Sequence, residues 1–370
     1  YLNLSGTVAP RSYYLVERTD NNTVSDIAAD LASSFGNGLS NAGENIAFVY
    51  KPVGQATTTI DEIPYDFNWY AGSSFNYSTM ERYDADIAGT NSSNWGTNNT
   101  VIKNGKNAGG GSLNGTPKAR NSANYLVNKG QNISSDITLY ASSSPYLVNN
   151  SVQVFNASST LTIEPGVVIK FYNDAGLQFG NGANILAQGS SANPIIFTSF
   201  YDDTYGGDTN SDAASTAPSA GNWYGVRINS PGAESIISNA VFRYGGKYYN
   251  GPWSDSRANL YIANSSAEII NSVFEYSKVY GLKMVNSDSS VTDSIFRNNN
   301  NVSDTAGYDS SLLAMGGNPS LSKSSFVSNH KGAYFFNSLA TVDSNTFNSN
   351  ANEAVYSYGQ LGYYSNNSGM

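Results

Sequence analysis

Five carboxylate or amide side chains crowd one short stretch of the chain: Asp202, Asp203, Asp208, Asn210 and Asp212, within YDDTYGGDTNSD. Asp208, Asn210 and Asp212 alternate with single residues, as the oxygens of a calcium loop do, and Gly206-Gly207 permit the tight backbone such a loop needs. Calcium takes about six to eight oxygens, which these residues supply together with backbone carbonyls. The glutamate that closes an EF-hand loop is missing, so that motif is not matched. The competing reading is a solvated run of Asx turns without metal. If calcium binds, its role is structural: it stiffens this insertion.

A second group is aromatic: Tyr205, Trp223, Tyr224, Tyr248, Tyr249 and Trp253. Ring faces beside amides suit sugars, and they equally suit a protein interface or local packing. Nucleophilic catalysis finds little support. His330 is the single histidine, it lies in an Asn-His-Lys-Gly turn, and no G-x-S-x-G elbow exists. A histidine-based zinc site is excluded by number. Gly109-Gly110-Gly111 lacks the lysine and serine of a phosphate-binding loop.

The chain as a whole narrows the partners. It has 370 residues, 39% hydrophobic but only 13% charged, with net charge -9 and no cysteine. A core is therefore affordable, while the phosphate backbone of a nucleic acid would be repelled. Disulfides are excluded. No run of 18 apolar residues and no basic-then-apolar leader is present, so no membrane span is expected. Starting at Tyr1, the sequence reads as a piece of a longer protein. Sequons such as Asn76-Tyr77-Ser78 and Asn156-Ala157-Ser158 are what chance gives in a chain rich in Asn, Ser and Thr.

Residues 161–199 show what positions these groups. Leu161, Ile163, Val167, Ile169 and Phe171 sit about two apart, and Pro165-Gly166, Gly180-Asn181-Gly182 and the stretch from Gly189 to Pro194 break the pattern. Period-2 patches this short fit neither a helix nor a long hairpin, but they fit a coil of stacked strands, a parallel β-helix. One phenylalanine recurs in similar company at Phe242, Phe274, Phe296, Phe326 and Phe347, spaced by 32, 22, 30 and 21 residues. A turn of 21 or 22 residues, with insertions in alternate turns, accounts for all four intervals and predicts an internal phenylalanine stack. The insertions span Tyr201 to Gly221, Gly245 to Arg257 and Asn298 to Tyr308.

Pro145, LTIEPGVVIKF, ILAQGS and PIIFTS resemble the opening turns of secreted right-handed β-helix proteins, and the resemblance covers Ser135 to the C-terminus. That resemblance implies the fold but no single activity, since lyases, adhesins and passive spacers share it. Among them, pectate lyases place calcium-bound carboxylates beside an arginine base. Arg227 lies near the acidic stretch, but adjacent Asp202 and Asp203 would face opposite sides of a strand. The NTD, GHG and RIK signatures of polygalacturonases are missing.

Residues 1–122 differ in texture. YYLVER, LSNAGENI, W-x-A-G, TMER, SNW and GTPKARNS, in this order, resemble the lamin-tail domain, an immunoglobulin-like sandwich of nuclear lamins and many prokaryotic surface proteins. In that family the pairs Glu17-Arg18 and Glu81-Arg82 stabilise the sandwich. Its opening strands, expected before YYLVER, are largely missing upstream of Tyr1; either they precede this sequence or another chain adds a strand. Ser365 to Met370 offer no polar cap.

The expectation is thus an all-β protein: a sandwich over 1–122, a linker over 123–134 and a right-handed parallel β-helix over 135–370. Its role would be non-enzymatic, extracellular or at a prokaryotic cell surface, as part of a larger surface protein, layer or fibre. The partners would be other protein chains, including copies of itself end to end. The alternative is a carbohydrate-binding or polysaccharide-cleaving module.

Overall fold

A computed structural model describes the chain except for residues 1, 11, 84, 86, 87, 99–102, 123, 126–131, 142, 143, 149–151, 211, 213, 214, 249–255, 300–309, 361 and 370. Two compact units form, Tyr1–Asn128 with Gly207–Ala213, and Lys129–Gly206 with Ala214–Met370. Among the described residues helical structure is 3-10 only, at Ser92–Asn94 and at Ala141; the other regular elements are β.

The second unit carries a parallel β-helix. Its strands fall into three nine-stranded sheets, and the chain visits sheets 1, 2 and 3 in rotation. Sheet 1 ends at Thr346–Asn348, sheet 2 at Val355–Tyr358 and sheet 3 at Tyr363–Ser365. The first strands, Asn124–Tyr125 and Asn132–Ile133, fall within the stretch expected as a linker; two-residue strands leave no periodic signal to read.

Within each sheet the register is constant, so equivalent residues lie on one another. The phenylalanine stack is the clearest case. Phe197, Phe242, Phe274, Phe296, Phe326 and Phe347 pair in register along sheet 1, with ring centroids 4.3, 5.3, 5.0, 4.6 and 4.7 Å apart. All are buried. The stack follows the recurrence in sequence and extends it by one turn, to Phe197.

The corners explain the abundance of Asn and Ser. Most corners carry a residue with positive φ, a conformation that Asn and Asp tolerate better than most. Asn239, Asn271, Asp293, Lys323 and Ser344 supply it between sheets 3 and 1, with φ from 47° to 56°. Asn181, Asn264, Asn286 and Asn337 do so between sheets 2 and 3. The next residue at the first of these corners is turned inward. There Ser272, Ser294, Ser324 and Asn345 form a buried ladder: each accepts the backbone N–H of the turn before it, at 3.3, 3.2, 3.1 and 2.8 Å. Between sheets 1 and 2, Asn299, Asn329 and Asn350 repeat the device. They accept N–H bonds from Ser277, Asn299 and Asn329 and donate to the carbonyls of Phe274, Phe296 and Phe326. Buried corners thereby leave these backbone groups satisfied.

The first unit holds three two-stranded sheets. Val16–Arg18 pairs in parallel with Leu31–Ser33; Ile46–Tyr50 with Thr58–Ile63 and Met80–Arg82 with Trp95–Thr97 are antiparallel. These are compatible with the β-sandwich expected from sequence. Glu81 is their buried hub, accepting Asn98 Nδ2, Thr116 Oγ1 and both the N–H and the hydroxyl of Ser122 at 2.6–2.8 Å. Glu17 accepts the N–H groups of Thr23 and Val24. Arg82 pairs with Asp61, 2.5 Å away, rather than with its neighbour Glu81.

Removing one ring from the middle of the stack leaves a cavity that the two flanking turns cannot close. Phe296→Ala should cost about 3–5 kcal/mol. Phe347→Ala should cost less, because among the described residues Phe347 stacks on Phe326 alone. Urea denaturation of both variants checks the order.

Candidate functional site

All three insertions leave the solenoid at the corner between sheets 1 and 2: after Ile195–Ser199, after Ala240–Arg243 and after Ile295–Arg297. The third is mostly outside the described residues, and so are Tyr249 and Trp253 of the second.

At the root of the first insertion the acidic residues part company. Asp202 is fully buried. It accepts the Thr198 hydroxyl at 2.5 Å and the Thr204 N–H at 3.2 Å, and it lies 3.5 Å from Arg243 Nη1. Expected in the metal group, Asp202 has its oxygens engaged by the Thr198 hydroxyl, the Thr204 N–H and Arg243, and it is not among the carboxylates that converge. By contrast Asp203, Asp208 and Asp212, along one stretch of chain, each offer an oxygen within 4.8 Å of the others. Two cation–oxygen distances of 2.3–2.6 Å span that separation, so this set fits a calcium ion. Local bonds shape the stretch: the Asp212 N–H reaches Asp208 Oδ1 at 3.2 Å, and Asn210 Nδ2 donates to Asp212 Oδ2 at 2.9 Å. Asn210 thus presents an N–H, not an oxygen, to that carboxylate.

Arg243 is the centre of a second constellation. Its Nε is 3.0 Å from Glu275 Oε1, and Glu275 Oε2 accepts Arg297 Nε at 2.6 Å. Three tyrosine rings surround the guanidinium, with centroids 5.2 Å (Tyr205), 4.7 Å (Tyr244) and 5.6 Å (Tyr276) away. Burial works against its charge, but Asp202 and Glu275 outweigh that and hold its pKa above the ordinary value. Of these residues, sequence reasoning singles out Asp202 and Tyr205 but not Arg243, Glu275 or Arg297. The signal was there, since Arg243, Glu275 and Arg297 each follow a stacked phenylalanine and alternate in sign.

The aromatic group also divides. Trp223, expected among ligand-facing rings, is fully buried, stacked on Phe171 at 4.0 Å, and its Nε1 donates to the Arg243 carbonyl. It is core, because the end of the insertion folds back under the next strand, Gly225–Asn229. Tyr224 is buried as well, and its hydroxyl donates to Asp174 at 3.0 Å. Tyr248 is 55% exposed. Tyr205 packs over Arg243. Arg227 lies on sheet 2, over the Tyr261 ring at 5.2 Å. His330 Nε2 is 2.8 Å from Asn352 Nδ2, at the surface.

What this corner can do chemically is limited by these commitments. Asp202 and Glu275, the carboxylates beside Arg243, are held by ion pairs and hydrogen bonds.

Among known families, the one described as pectate-lyase like beta helix domain matches residues 131–246, less than half of the chain. The matched region holds the early turns, the first insertion and Arg243. No curated protein and no solved structure gives a significant match.

The Lys247 ammonium, 2.8 Å from Asp174, and the Tyr224 hydroxyl hold the Asp174 carboxyl below its ordinary value of 3.8, against the opposing effect of burial. A depressed carboxyl contributes stability above its unfolded pKa and loses it as pH falls through the folded one. In Lys247→Met the Asp174 titration should move up toward 3.8, as side-chain carboxyl NMR would show.

Proposed function

We propose that this chain is a non-enzymatic structural or adhesive segment of a larger surface protein, extracellular in location. The observation that carries this reading is the unbroken register of three nine-stranded sheets, whose interior is spent on ring stacks and amide or hydroxyl ladders. A frame of that kind resists deformation along its axis, since each turn is held by its neighbours. The first unit would be a lamin-tail-like sandwich; its motifs and its small sheets support that. Partners would be other protein chains, copies of itself among them. No helix among the described residues is long and apolar enough to cross a membrane.

Calcium fits this role as a structural ion held by Asp203, Asp208 and Asp212. Bound there, it would neutralise three converging carboxylates and stiffen the first insertion. Calorimetric titration with calcium should give one site in the parent chain and none in Asp208→Asn/Asp212→Asn, with the parent's melting temperature rising on addition of the ion.

The likeness to a pectate-lyase like family favours a second reading, action on an acidic polysaccharide. Incubation with polygalacturonate decides between them. The structural reading expects no unsaturated uronide absorbance with or without calcium. Absorbance that grows with time, and is lost in Arg243→Met, would establish the enzyme.

A further inference from the structure

Lys170 is fully buried, although its position in Val168–Phe171 faces outward from sheet 1. Ile169 and Phe171, on either side of it, point into the core. Lys170 pairs in register with Thr198, and the same outward row continues through Arg243, Glu275 and Arg297. Further along, the row reaches solvent at Arg297, whose side chain is 47% exposed, although Glu275 before it is buried. Lys170 is covered, and the chain lying on it is the root of the first insertion. A Cβ added at Gly206 would come within 3.0 Å of Pro145 Cβ and 3.4 Å of Lys170 Cε, so this glycine rests directly on the lysine stem.

The root of the insertion, 201–206, is attached to the face mainly through side chains. Asp202 binds Thr198 and Arg243; Tyr205 lies on the Arg243 guanidinium. The Asp202 N–H does reach back to the Ser199 carbonyl, but this is a local turn that survives if the segment lifts. Arg243 is in turn braced by Glu275, one turn further on. One guanidinium therefore joins two residues of the segment to the solenoid, while Tyr201, at its start, is held separately, its hydroxyl accepting from Asn173 Nδ2 at 3.3 Å.

We propose that residues 201–206 form a strap that opens as a unit, locked by Arg243, and that its opening presents Lys170 and Arg243 to solvent as a cationic strip on sheet 1. The closed strap hides two positive charges of an otherwise acidic chain. Loss of Arg243 leaves the buried Asp202 carboxylate uncompensated, and lifting the strap into water is the cheapest relief; loss of Asp202 removes the strap's own ionic tie to the face, while Arg243 keeps Glu275. The solenoid beneath keeps its ring stack and ladders, so opening is a local event and not an unfolding one.

Lysine acetylation by a soluble succinimidyl ester, followed residue by residue with mass spectrometry, tests this on the full chain. Lys283 is the internal reference, since it is buried on the outer face of sheet 2 and away from the strap. In Arg243→Met and in Asp202→Asn, the rate at Lys170 should rise by about tenfold or more while Lys283 is unchanged. Arg243→Lys, which keeps a charge opposite Asp202, should restore most of the protection. The proposal is overturned if Lys170 stays protected in both variants. It is equally overturned if Lys170 and Lys283 become reactive together, which would mean that the whole solenoid has loosened.

Discussion

The architecture depends on one recurrent backbone feature, the left-handed residue that turns the corner between sheets 3 and 1. At Asn271, Asp293, Lys323 and Ser344 that residue is followed by one more before the next strand begins, so each of these corners is two residues long and constant register follows. Once register is constant, like side chains must stack: ring on ring at sheet 1, hydroxyl on amide at the corners. The composition then follows from geometry. Asn and Ser recur where the left-handed corner and the inward polar ladder call for them, and charge is scarce because few row positions can hold it without a partner.

The same constraint decides where variation is allowed. The corner between sheets 1 and 2 can carry extra residues as long as the next strand re-enters in register, and all three insertions use it. Chemistry gathers there because polar side chains on the insertions meet the outward rows of sheet 1. Buried charge at that meeting is tolerable only in closed sets. Asp202, Arg243, Glu275 and Arg297 make such a set, and so a stretch that reads as one acidic run in sequence splits between scaffold and candidate cation site.

This split shows how far the sequence could be read. The phenylalanine spacing was legible because insertions lengthen a turn without changing which residue points inward. Phe197 escaped notice since it sits in PIIF, unlike the later phenylalanines, and a long insertion separates it from Phe242. Alternation alone sets adjacent Asp202 and Asp203 on opposite sides of a strand, but not which of the two turns toward Thr198 and Arg243. Trp223 was misplaced for a similar reason, because nothing local says where an insertion ends and the core resumes. In the first unit, the Glu81 hub draws on Asn98, Thr116 and Ser122, partners too far apart in sequence for any motif to join. Tyr249 and Trp253, weighed as ligand-facing rings, lie outside the described residues.

A frame of stacked turns with one permissive corner accounts for both the structural reading and the placement of every candidate site. Because the chain has no cysteine, its register can be tested by engineered pairs. Ile295 and Ser325 are in register on the outside of sheet 1. Adjacent strands lie about 4.8 Å apart, within the span of a disulfide, whereas a shift of two residues takes the pair beyond about 7 Å. The account predicts that Ile295→Cys/Ser325→Cys oxidises fully to an intrachain disulfide and that Ile295→Cys/Val327→Cys does not. Equal cross-linking of both pairs, or of neither, would contradict it.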